Sequence, residues 1–277
     1  MTSPVWLITG CSSGFGEAIA REALTRGHQV IATARNVDAL APLQSEYGAQ
    51  VKTLALDVTK PETIAQAMTE ISRVDYLVNN AGGALVGALE EFSEAQMRAN
   101  FELNFFGAVH MCRAVLPHMR AQGFGRIVNI SAVAAISNEV GFGIYGAAKA
   151  ALDGMSESLA KETAHLGIKV TTVCPGPFRT QFIAKGNMRP EHRIDAYAPS
   201  VGKFADFLAS IHGKQTGDPA KGAKVIVDAA TSETPPFRLV LGGYAYKKLR
   251  HKLETVEAEM EAWRSASLST DFSSSSA

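Results

Sequence analysis

The chain has 277 residues, and its 46% hydrophobic content is ample for a sizeable buried core. The 27 basic and 27 acidic side chains cancel, so charge gives no reason to expect nucleic acid or an anionic membrane surface as a partner. Cys11, Cys112 and Cys174 lack the spacing of a metal or redox site and indicate reduced thiols. With no signal-like or membrane-length apolar segment, we expect a cytoplasmic protein with neither a membrane partner nor a metal.

Seven short apolar runs alternate with longer segments that have helical periodicity. Runs that are apolar throughout, rather than at every second residue, are typical of parallel strands covered on both faces. We therefore expect an α/β fold: a single doubly wound Rossmann-type domain, residues 1–243, with a seven-stranded parallel sheet flanked by helices. The predicted strands are Val5 to Ile8, Gln29 to Ala34, Val51 to Leu56, Tyr76 to Asn79, Arg126 to Ser131, Lys169 to Cys174 and Arg238 to Leu241.

Two segments depart from this alternation. Residues 181–217 mix aromatic and apolar side chains with glycine, proline and charges, and a long insertion after a strand is typical of a functional, substrate-binding loop. Residues 244–277 form a C-terminal part, with a helix-forming composition from Tyr244 to Trp263 and a Ser-rich tail from Ser265 that we expect to fray. The sequence contains no repeat or linker that would divide the chain further.

A glycine-rich turn follows the first predicted strand and precedes a helical pattern. Its sequence is Thr9-Gly10-Cys11-Ser12-Ser13-Gly14-Phe15-Gly16. Glycines allow a tight turn and close backbone approach, while a helix N-terminus offers unpaired N–H donors and a positive dipole end. The position of the turn between strand and helix therefore indicates a phosphate-binding site.

The spacing TGxxxGxG resembles the short-chain dehydrogenase/reductase family. Other motifs of that family follow in order between about residues 4 and 242: Asp57 after Leu56, Asn79-Asn80-Ala81-Gly82, Asn104, Tyr145-x-x-x-Lys149 and Pro175-Gly176-x-x-x-Thr180. The resemblance implies a nicotinamide-dependent oxidoreductase. It implies that the cofactor lies against Gly10, Ser12, Ser13, Gly14, Phe15 and Gly16.

The end of the second strand bears on the choice between NAD and NADP. A carboxylate there bonds the ribose 2′-hydroxyl, whereas a cation accommodates the 2′-phosphate. Ala34 occupies the position where NAD-preferring members of the family resemble one another in having Asp, and Arg35 follows it. We expect NADP(H), with NAD(H) as the alternative, because an arginine grips phosphate with a charged fork. A solvated loop residue is the other interpretation of Arg35.

The resemblance implies further contacts with the cofactor. Asp57 and Val58 meet the adenine, and Asn80, Ala81 and Gly82 cover the adenosine side. Thr180, after Pro175 and Gly176, bonds the nicotinamide carboxamide. For Asp57, a helix-capping or turn position remains the alternative.

Tyr145 and Lys149 carry the predicted chemistry. Moving a hydride between an alcohol carbon and nicotinamide leaves a proton to be taken or given at oxygen, and a phenol with a pKa of about 10 needs help to do this near neutral pH. At positions i and i+4 of a helix the two side chains share a face, so the ammonium favours phenolate and reaches the nicotinamide ribose. Asn104 resembles the family's asparagine that holds a water joining the lysine to a proton relay; a structural amide is the alternative.

The family's serine is where this sequence departs from the pattern. Relatives carry a serine 13 positions before the tyrosine, and that position is Ala132, one place after Ser131. Adjacent strand residues face opposite ways. The backbone could shift by one residue and present Ser131 as the catalytic serine, a neighbour such as Ser137 or Asn138 could donate instead, or the site is impaired.

The predicted function is NADP(H)-dependent interconversion of a secondary alcohol with a ketone or aldehyde. Aromatic and apolar residues after Pro175 favour a hydrophobic small-molecule substrate, unless they pack the loop against the core: Phe178, Phe182, Met188, Tyr197 and Phe204. Ala132 keeps open a cofactor-binding protein with impaired catalysis, and the same tyrosine could serve an isomerase or dehydratase. Long apolar helices after Asn80 and around Tyr145 resemble the family's subunit contacts, so we expect a homodimer or homotetramer.

Overall fold

The computed structural model describes residues 3–182 and 189–272. Part of the predicted substrate loop, including Met188, and the last residues of the Ser-rich tail lie outside the described residues. In the part of the chain that is described, no helix is both long enough and apolar enough to cross a membrane.

Seven parallel strands form one sheet, as the apolar runs predict. Their order is β3-β2-β1-β4-β5-β6-β7. Three strands differ from the predicted bounds by a single residue at one end or at both. The strands are β1 Val5–Ile8, β2 Gln29–Ala34, β3 Val51–Ala55, β4 Tyr76–Asn79, β5 Gly125–Ile130, β6 Ile168–Pro175 and β7 Arg238–Leu241.

Helices connect the strands and cover both faces of the sheet. Those of the domain are α1 Gly14–Thr25, α2 Ala41–Tyr47, α3 Pro61–Thr69, α4 Glu94–Phe101, α5 Gly107–Gln122, α6 Gly143–Thr163, α7 Lys203–Ser210 and α8 Pro219–Thr231. After β7 come α9 Gly243–Ala262 and α10 Arg264–Leu268.

Two apolar cores lie on opposite faces of the sheet. On one face, Ile19 of α1 and Ile226 of α8 pack against the strands. On the other, Ile64 of α3, Met111 of α5 and Leu159 of α6 do so. This layering is the doubly wound architecture expected from strands that are apolar on both sides.

The strand order places a crevice at the carboxyl ends of β1 and β4. The chain runs outward from β1 to β3 and then returns to the other side of β1 with β4. Open α/β sheets bind ligands at such a switch point, outside the carboxyl ends of the strands. The glycine-rich turn after β1 and the Asn79-Asn80-Ala81-Gly82 segment at the end of β4 both lie there.

Buried amides tie the strands beside the crevice to α6. Asn79 of β4 donates from Nδ2 to Oδ1 of Asn129 on β5 at 2.8 Å, and Asn129 donates to Oγ of Ser156 on α6 at 2.7 Å. Ser156 in turn donates to the carbonyl of Leu152 at 2.6 Å. Because unpaired buried amides are costly, this network fixes α6 against the ends of β4 and β5.

Candidate active site

The glycine-rich turn has a backbone that only glycine adopts without strain. Gly10 and Gly14 have φ angles of 72° and 65°, in the left-handed region. A Cβ at Gly16 would lie 2.3 Å from the Gly10 carbonyl oxygen. The turn is therefore packed against the first turn of α1, which is the arrangement that exposes helix N–H groups to a phosphate.

Asn80 holds this turn in place. Its Nδ2 donates to the carbonyls of Thr9 at 2.8 Å and Gly10 at 3.1 Å. Oγ1 of Thr9 accepts from the backbone N–H groups of Asn80 and Ala81, each at 3.0 Å. Asn80 and Ala81 thus join the end of β4 to the end of β1, as well as standing beside the predicted cofactor site.

Arg35 lies at the outer end of the crevice. It is exposed and shares with Asp57 and Lys60 a cavity of about 380 Å³ beside β3 and α3. Oδ1 of Asp57 accepts from the Thr59 backbone N–H at 3.0 Å and from its hydroxyl at 2.7 Å. Asp57 therefore forms a turn, and the residue borders the same cavity as Arg35.

Of the other residues that we expect to contact the cofactor, some are exposed and some are buried. Ser12 is exposed, and Ser13 precedes α1 in an extended conformation without capping it through its side chain. Val58 is buried against Gly107, where an added Cβ would lie 2.6 Å from its Cγ2. We therefore find Val58 in the packing beneath the crevice.

Thr180 lies across the crevice from the glycine-rich turn. A Cβ at Gly14 would be 3.4 Å from Cβ of Thr180, and both residues border a second cavity of about 390 Å³. Pro175 ends β6, and the Gly176 N–H donates to the Leu241 carbonyl at 3.0 Å. This backbone pairing sets the direction in which the segment carrying Thr180 leaves the sheet.

Tyr145 lies in an apolar cluster at the start of α6. Its side chain is 5% exposed and packs with Ala132 and Ala134. The rings of Phe142 and Phe182 lie 5.3 Å and 5.8 Å from its ring. Burial raises the pKa of the Tyr145 hydroxyl above its usual value.

Lys149 lies one helical turn further on and is buried as well, at 4% exposure. Its Nζ donates to the Ile130 carbonyl, at the end of β5, at 2.8 Å. Desolvation lowers the pKa of Lys149 to about 8, and the charge of Asp153 opposes that shift. The ammonium group thus titrates much closer to neutral pH than an exposed lysine.

Asn104 reaches Lys149 from the other side of Gly82. Asn104 belongs to a π-helical turn, Glu102–Phe106, between α4 and α5, and such turns are frequent at functional sites. Its Nδ2 donates to the Gly83 carbonyl at 2.8 Å, and its Oδ1 accepts from the Gly83 N–H at 3.2 Å. A Cβ on Gly82 would lie 2.8 Å from Oδ1 of Asn104 and 3.4 Å from Nζ of Lys149. The π-helical turn was not expected from the sequence.

Ala132, not Ser131, faces Tyr145. The Ser131 N–H donates to the Val173 carbonyl at 2.8 Å, so the ladder with β6 continues one residue past β5. Ala132 follows in an extended conformation, with φ −158°, and contacts the Tyr145 cluster. Oγ of Ser131 is buried and has no hydrogen-bond partner within residues 3–182 and 189–272. In this arrangement the backbone does not shift to exchange the two residues.

The two other donor candidates lie beyond Ala132. Asn138 donates from Nδ2 to the Phe142 carbonyl at 3.2 Å and accepts at Oδ1 from the Glu139 N–H at 2.9 Å. Its side chain also fills the space beside Gly146. The side chain of Asn138 thus supports the start of α6, while the Ser137 N–H donates to the Val133 carbonyl.

Glu91 is a buried carboxylate that the sequence analysis did not single out. Its two oxygens accept from the N–H groups of Ala88 at 2.8 Å and Ile194 at 2.9 Å. Glu90 accepts from the Tyr197 hydroxyl at 2.7 Å. These bonds hold the segment before α7, and Phe204 of α7 packs against Phe142 of the Tyr145 cluster. Because Ile194 is 103 residues away along the chain, no local pattern marks the contact.

The candidate site contains no metal centre in the part of the chain that the structure describes. Within residues 3–182 and 189–272, no three His, Cys, Asp or Glu side chains come close enough to share an ion. Cys11, Cys112 and Cys174 are buried free thiols, and burial raises the pKa of each.

Because Lys149 is buried, we expect its charged form to destabilise the fold. Below pH 8 the folded chain must hold a desolvated ammonium, a cost of up to about 3 kcal/mol, and the cost disappears as the pH rises to 10.5. Lys149→Met is expected to raise the free energy of unfolding by about 1–2 kcal/mol at pH 7, a figure that allows for the lost hydrogen bond to Ile130. At pH 10.5 the substitution is expected to bring no increase in the free energy of unfolding.

Urea unfolding at pH 7 and pH 10.5 measures this difference. Lys161→Met, on the exposed face of the same helix, is the matched control and should leave the stability unchanged at both pH values. A Lys149→Met variant that is less stable than the parent at pH 7 would show that the buried ammonium does not destabilise the fold.

Comparisons with known proteins agree with this geometry. The family described as short chain dehydrogenase matches residues 4–190. Oxidoreductase BOA17 of Botryotinia fuckeliana is 36% identical over 271 residues, which cover 96% of this chain and 98% of the relative. Retinol dehydrogenase 8 of Homo sapiens is 42% identical over 253 residues, covering 84% of this chain and 79% of the relative.

A solved structure is similar over nearly the whole chain. The crystal structure of a short-chain dehydrogenase from Streptomyces avermitilis superposes with a TM-score of 0.92 at 44% identity, covering 98% of this chain and 100% of that one. The predicted family and fold class are thereby confirmed. The chain belongs to the short-chain dehydrogenase/reductase family and is an NAD(P)-dependent oxidoreductase.

Proposed function

We propose that the protein interconverts a hydrophobic secondary alcohol with its ketone, using NADP(H). The observation that carries this proposal is the buried pair of Tyr145 and Lys149, at the carboxyl end of β5 and beside the glycine-rich crevice. Titratable groups with pKa values displaced by burial in a crevice are characteristic of catalytic acids and bases.

Tyr145 gives or takes the proton at the substrate oxygen. In the direction of carbonyl reduction a neutral phenol is the proton donor, and the raised pKa of Tyr145 keeps it protonated. Alcohol oxidation requires the phenolate, which the neighbouring Lys149 ammonium favours. Since the pKa of Lys149 is lowered to about 8, this assistance weakens above that pH.

The crevice residues fit a dinucleotide. When bound, the nicotinamide group supplies or accepts the hydride. The left-handed glycines Gly10 and Gly14, together with the close approach at Gly16, leave backbone N–H groups available for phosphate. Arg35 and Lys60 border the cavity at the outer end, together with the carboxylates of Asp57 and Glu70. We assign Arg35 to the 2′-phosphate of NADP(H), because its guanidinium is exposed and adjoins that cavity.

The surroundings of Tyr145 favour a hydrophobic substrate. Ala132, Ala134, Phe142 and Phe182 surround the tyrosine, and Phe204 packs edge-on against Phe142 with ring centroids 5.3 Å apart. Phe178 instead packs against Phe15, 4.8 Å away, and belongs to the core. The similarity to a retinol dehydrogenase agrees with an extended apolar substrate.

Ala132 favours a second candidate, a cofactor-binding protein with weak turnover. The residue that faces Tyr145 at the end of β5 lacks a hydroxyl, so its side chain cannot donate to the substrate oxygen. Loss of one such donor typically slows a reaction by about 100- to 1000-fold. The two candidates predict different turnover for the chain that carries Ala132: the first predicts ready turnover, and the second predicts weak turnover.

The direct test of the proposed function is the oxidation of NADPH against a panel of hydrophobic ketones. Tyr145→Phe is expected to lower kcat by at least about 100-fold, because the general acid is lost, while NADPH binding measured by fluorescence stays unchanged. Tyr47→Phe, on α2, is the matched control. Equal turnover in Tyr145→Phe and the parent chain would refute the catalytic role of the tyrosine.

Restoring a hydroxyl at position 132 is expected to raise kcat. Ala132→Ser places a donor at the position facing Tyr145, and we expect an increase of about 100-fold on the same ketones. Ala134→Ser adds a hydroxyl elsewhere in the same cluster and is the control. If Ala132→Ser brings no increase over the parent, another group already supplies the donor.

Cofactor preference is tested at Arg35. Arg35→Asp removes a charged hydrogen-bonding group and introduces a repelling carboxylate, so NADPH binding should weaken by about 10- to 100-fold. NADH binding should be unchanged or stronger, since an Asp accepts from the ribose 2′-hydroxyl. Titrations of both cofactors, with the exposed Arg98→Asp as control, measure the ratio. An unchanged ratio would remove Arg35 from the proposal.

A further inference from the structure

The C-terminal helix α9 leaves the body of the domain and enters solvent. Its first turns are anchored, because the Tyr244 hydroxyl and the Lys248 ammonium both bond Glu139 and Ala245 is buried. Beyond that point contact with the domain fades, and every described residue from 257 to 272 is exposed. The proposed function does not involve this projecting helix.

One stripe of α9 is apolar although much of it is exposed. Its members follow a strict spacing of three and four residues, which is the seam of a two-helix coiled coil. Tyr246, Leu253, Met260 and Trp263 are 62%, 56%, 69% and 70% exposed. The stripe consists of Tyr246, Leu249, Leu253, Val256 and Met260 of α9, and it continues to Trp263, the residue that follows the helix and precedes α10. A continuous exposed apolar stripe of this kind marks an interaction surface.

Charges on α9 are segregated along its length. The first half carries only basic charge, at Lys247, Lys248, Arg250 and Lys252. The second half carries only acidic charge, at Glu254, Glu257, Glu259 and Glu261. A second copy of the helix laid parallel would set like charges together, whereas an antiparallel copy sets each basic half against an acidic half.

The apolar stripe has the same antiparallel symmetry. Turning the helix about a point between residues 254 and 255 exchanges Tyr246 with Trp263, Leu249 with Met260, and Leu253 with Val256. Each of these three pairs therefore consists of two apolar side chains. A two-fold axis produces this kind of self-complementary contact.

We propose that the apolar stripe of α9 binds the same stripe of a second copy of this chain in an antiparallel two-helix contact. An anionic membrane surface would attract the basic half of the helix but repel the acidic half, whereas an antiparallel second copy attracts both halves. This contact is separate from α5 and α6, which the sequence analysis expects at the subunit interfaces, and it stands independently of the proposed substrate and cofactor.

Disulfide trapping tests both the contact and its direction. Tyr246→Cys and Trp263→Cys are made in separate full-length chains of different tagged mass, mixed, and oxidised with oxidised glutathione. The antiparallel register brings positions 246 and 263 of opposite copies together, within the roughly 7 Å between Cα atoms that a disulfide allows. It places the two copies of position 246 about 25 Å apart, at 1.5 Å per residue. The natural cysteines are buried.

The expected result is a disulfide-linked mixed dimer and at least about tenfold less self-linked dimer of either variant. Adding Leu253→Glu to both chains should remove most of the mixed product, whereas His251→Glu, on the opposite face, should not. Circular dichroism melting checks that each variant is folded.

Three outcomes would overturn the proposal. Self-linking of Tyr246→Cys would show a parallel pair, and absence of any linked dimer would show that the copies do not meet there. Sedimentation of the unlinked protein with phosphatidylserine vesicles, lost in Leu253→Glu, would assign the stripe to a lipid surface.

Discussion

The site depends on a charge that the fold buries at a cost. Lys149 is held at the end of β5 by a hydrogen bond to the Ile130 carbonyl, in surroundings that lower its pKa to about 8. The amide network of Asn79, Asn129 and Ser156 keeps α6 in that position. An amine on a looser helix would move into water, where its effect on the Tyr145 phenol would be screened. The packing of β4, β5 and α6 is therefore part of the proposed chemistry.

The shape of the crevice depends on a second constraint, which is the absence of side chains at its glycines. Gly16 approaches the Gly10 carbonyl too closely for any Cβ, and Gly82 leaves the space in which Asn104 and Lys149 converge. Asn80 then locks the turn by bonding to two carbonyls. Backbone groups can reach a phosphate here only because glycines keep the surface bare.

The sequence predicted what depends on local pattern and on family motifs. Strands that are apolar on both faces predicted the sheet to within one residue at each end, and the glycine spacing placed the turn correctly between β1 and α1. It did not predict the π-helical turn at Asn104 or the contact of Glu91 with Ile194, because neither leaves a periodic signal. Which of Ser131 and Ala132 faces Tyr145 was not predictable either, because it depends on the continued pairing of Ser131 with Val173 beyond the end of β5.

Glu139 connects the C-terminal helix α9 with the segment that leads into α6. This carboxylate accepts from Tyr244 and Lys248 of α9, and it follows Asn138, whose amide supports the Phe142 carbonyl. The ring of Phe142 packs against Tyr145. The base of α9 and the segment that leads into α6 thus share one anchor. A helix pairing that restrains α9 would also act on Glu139, and through it on the segment that leads into α6.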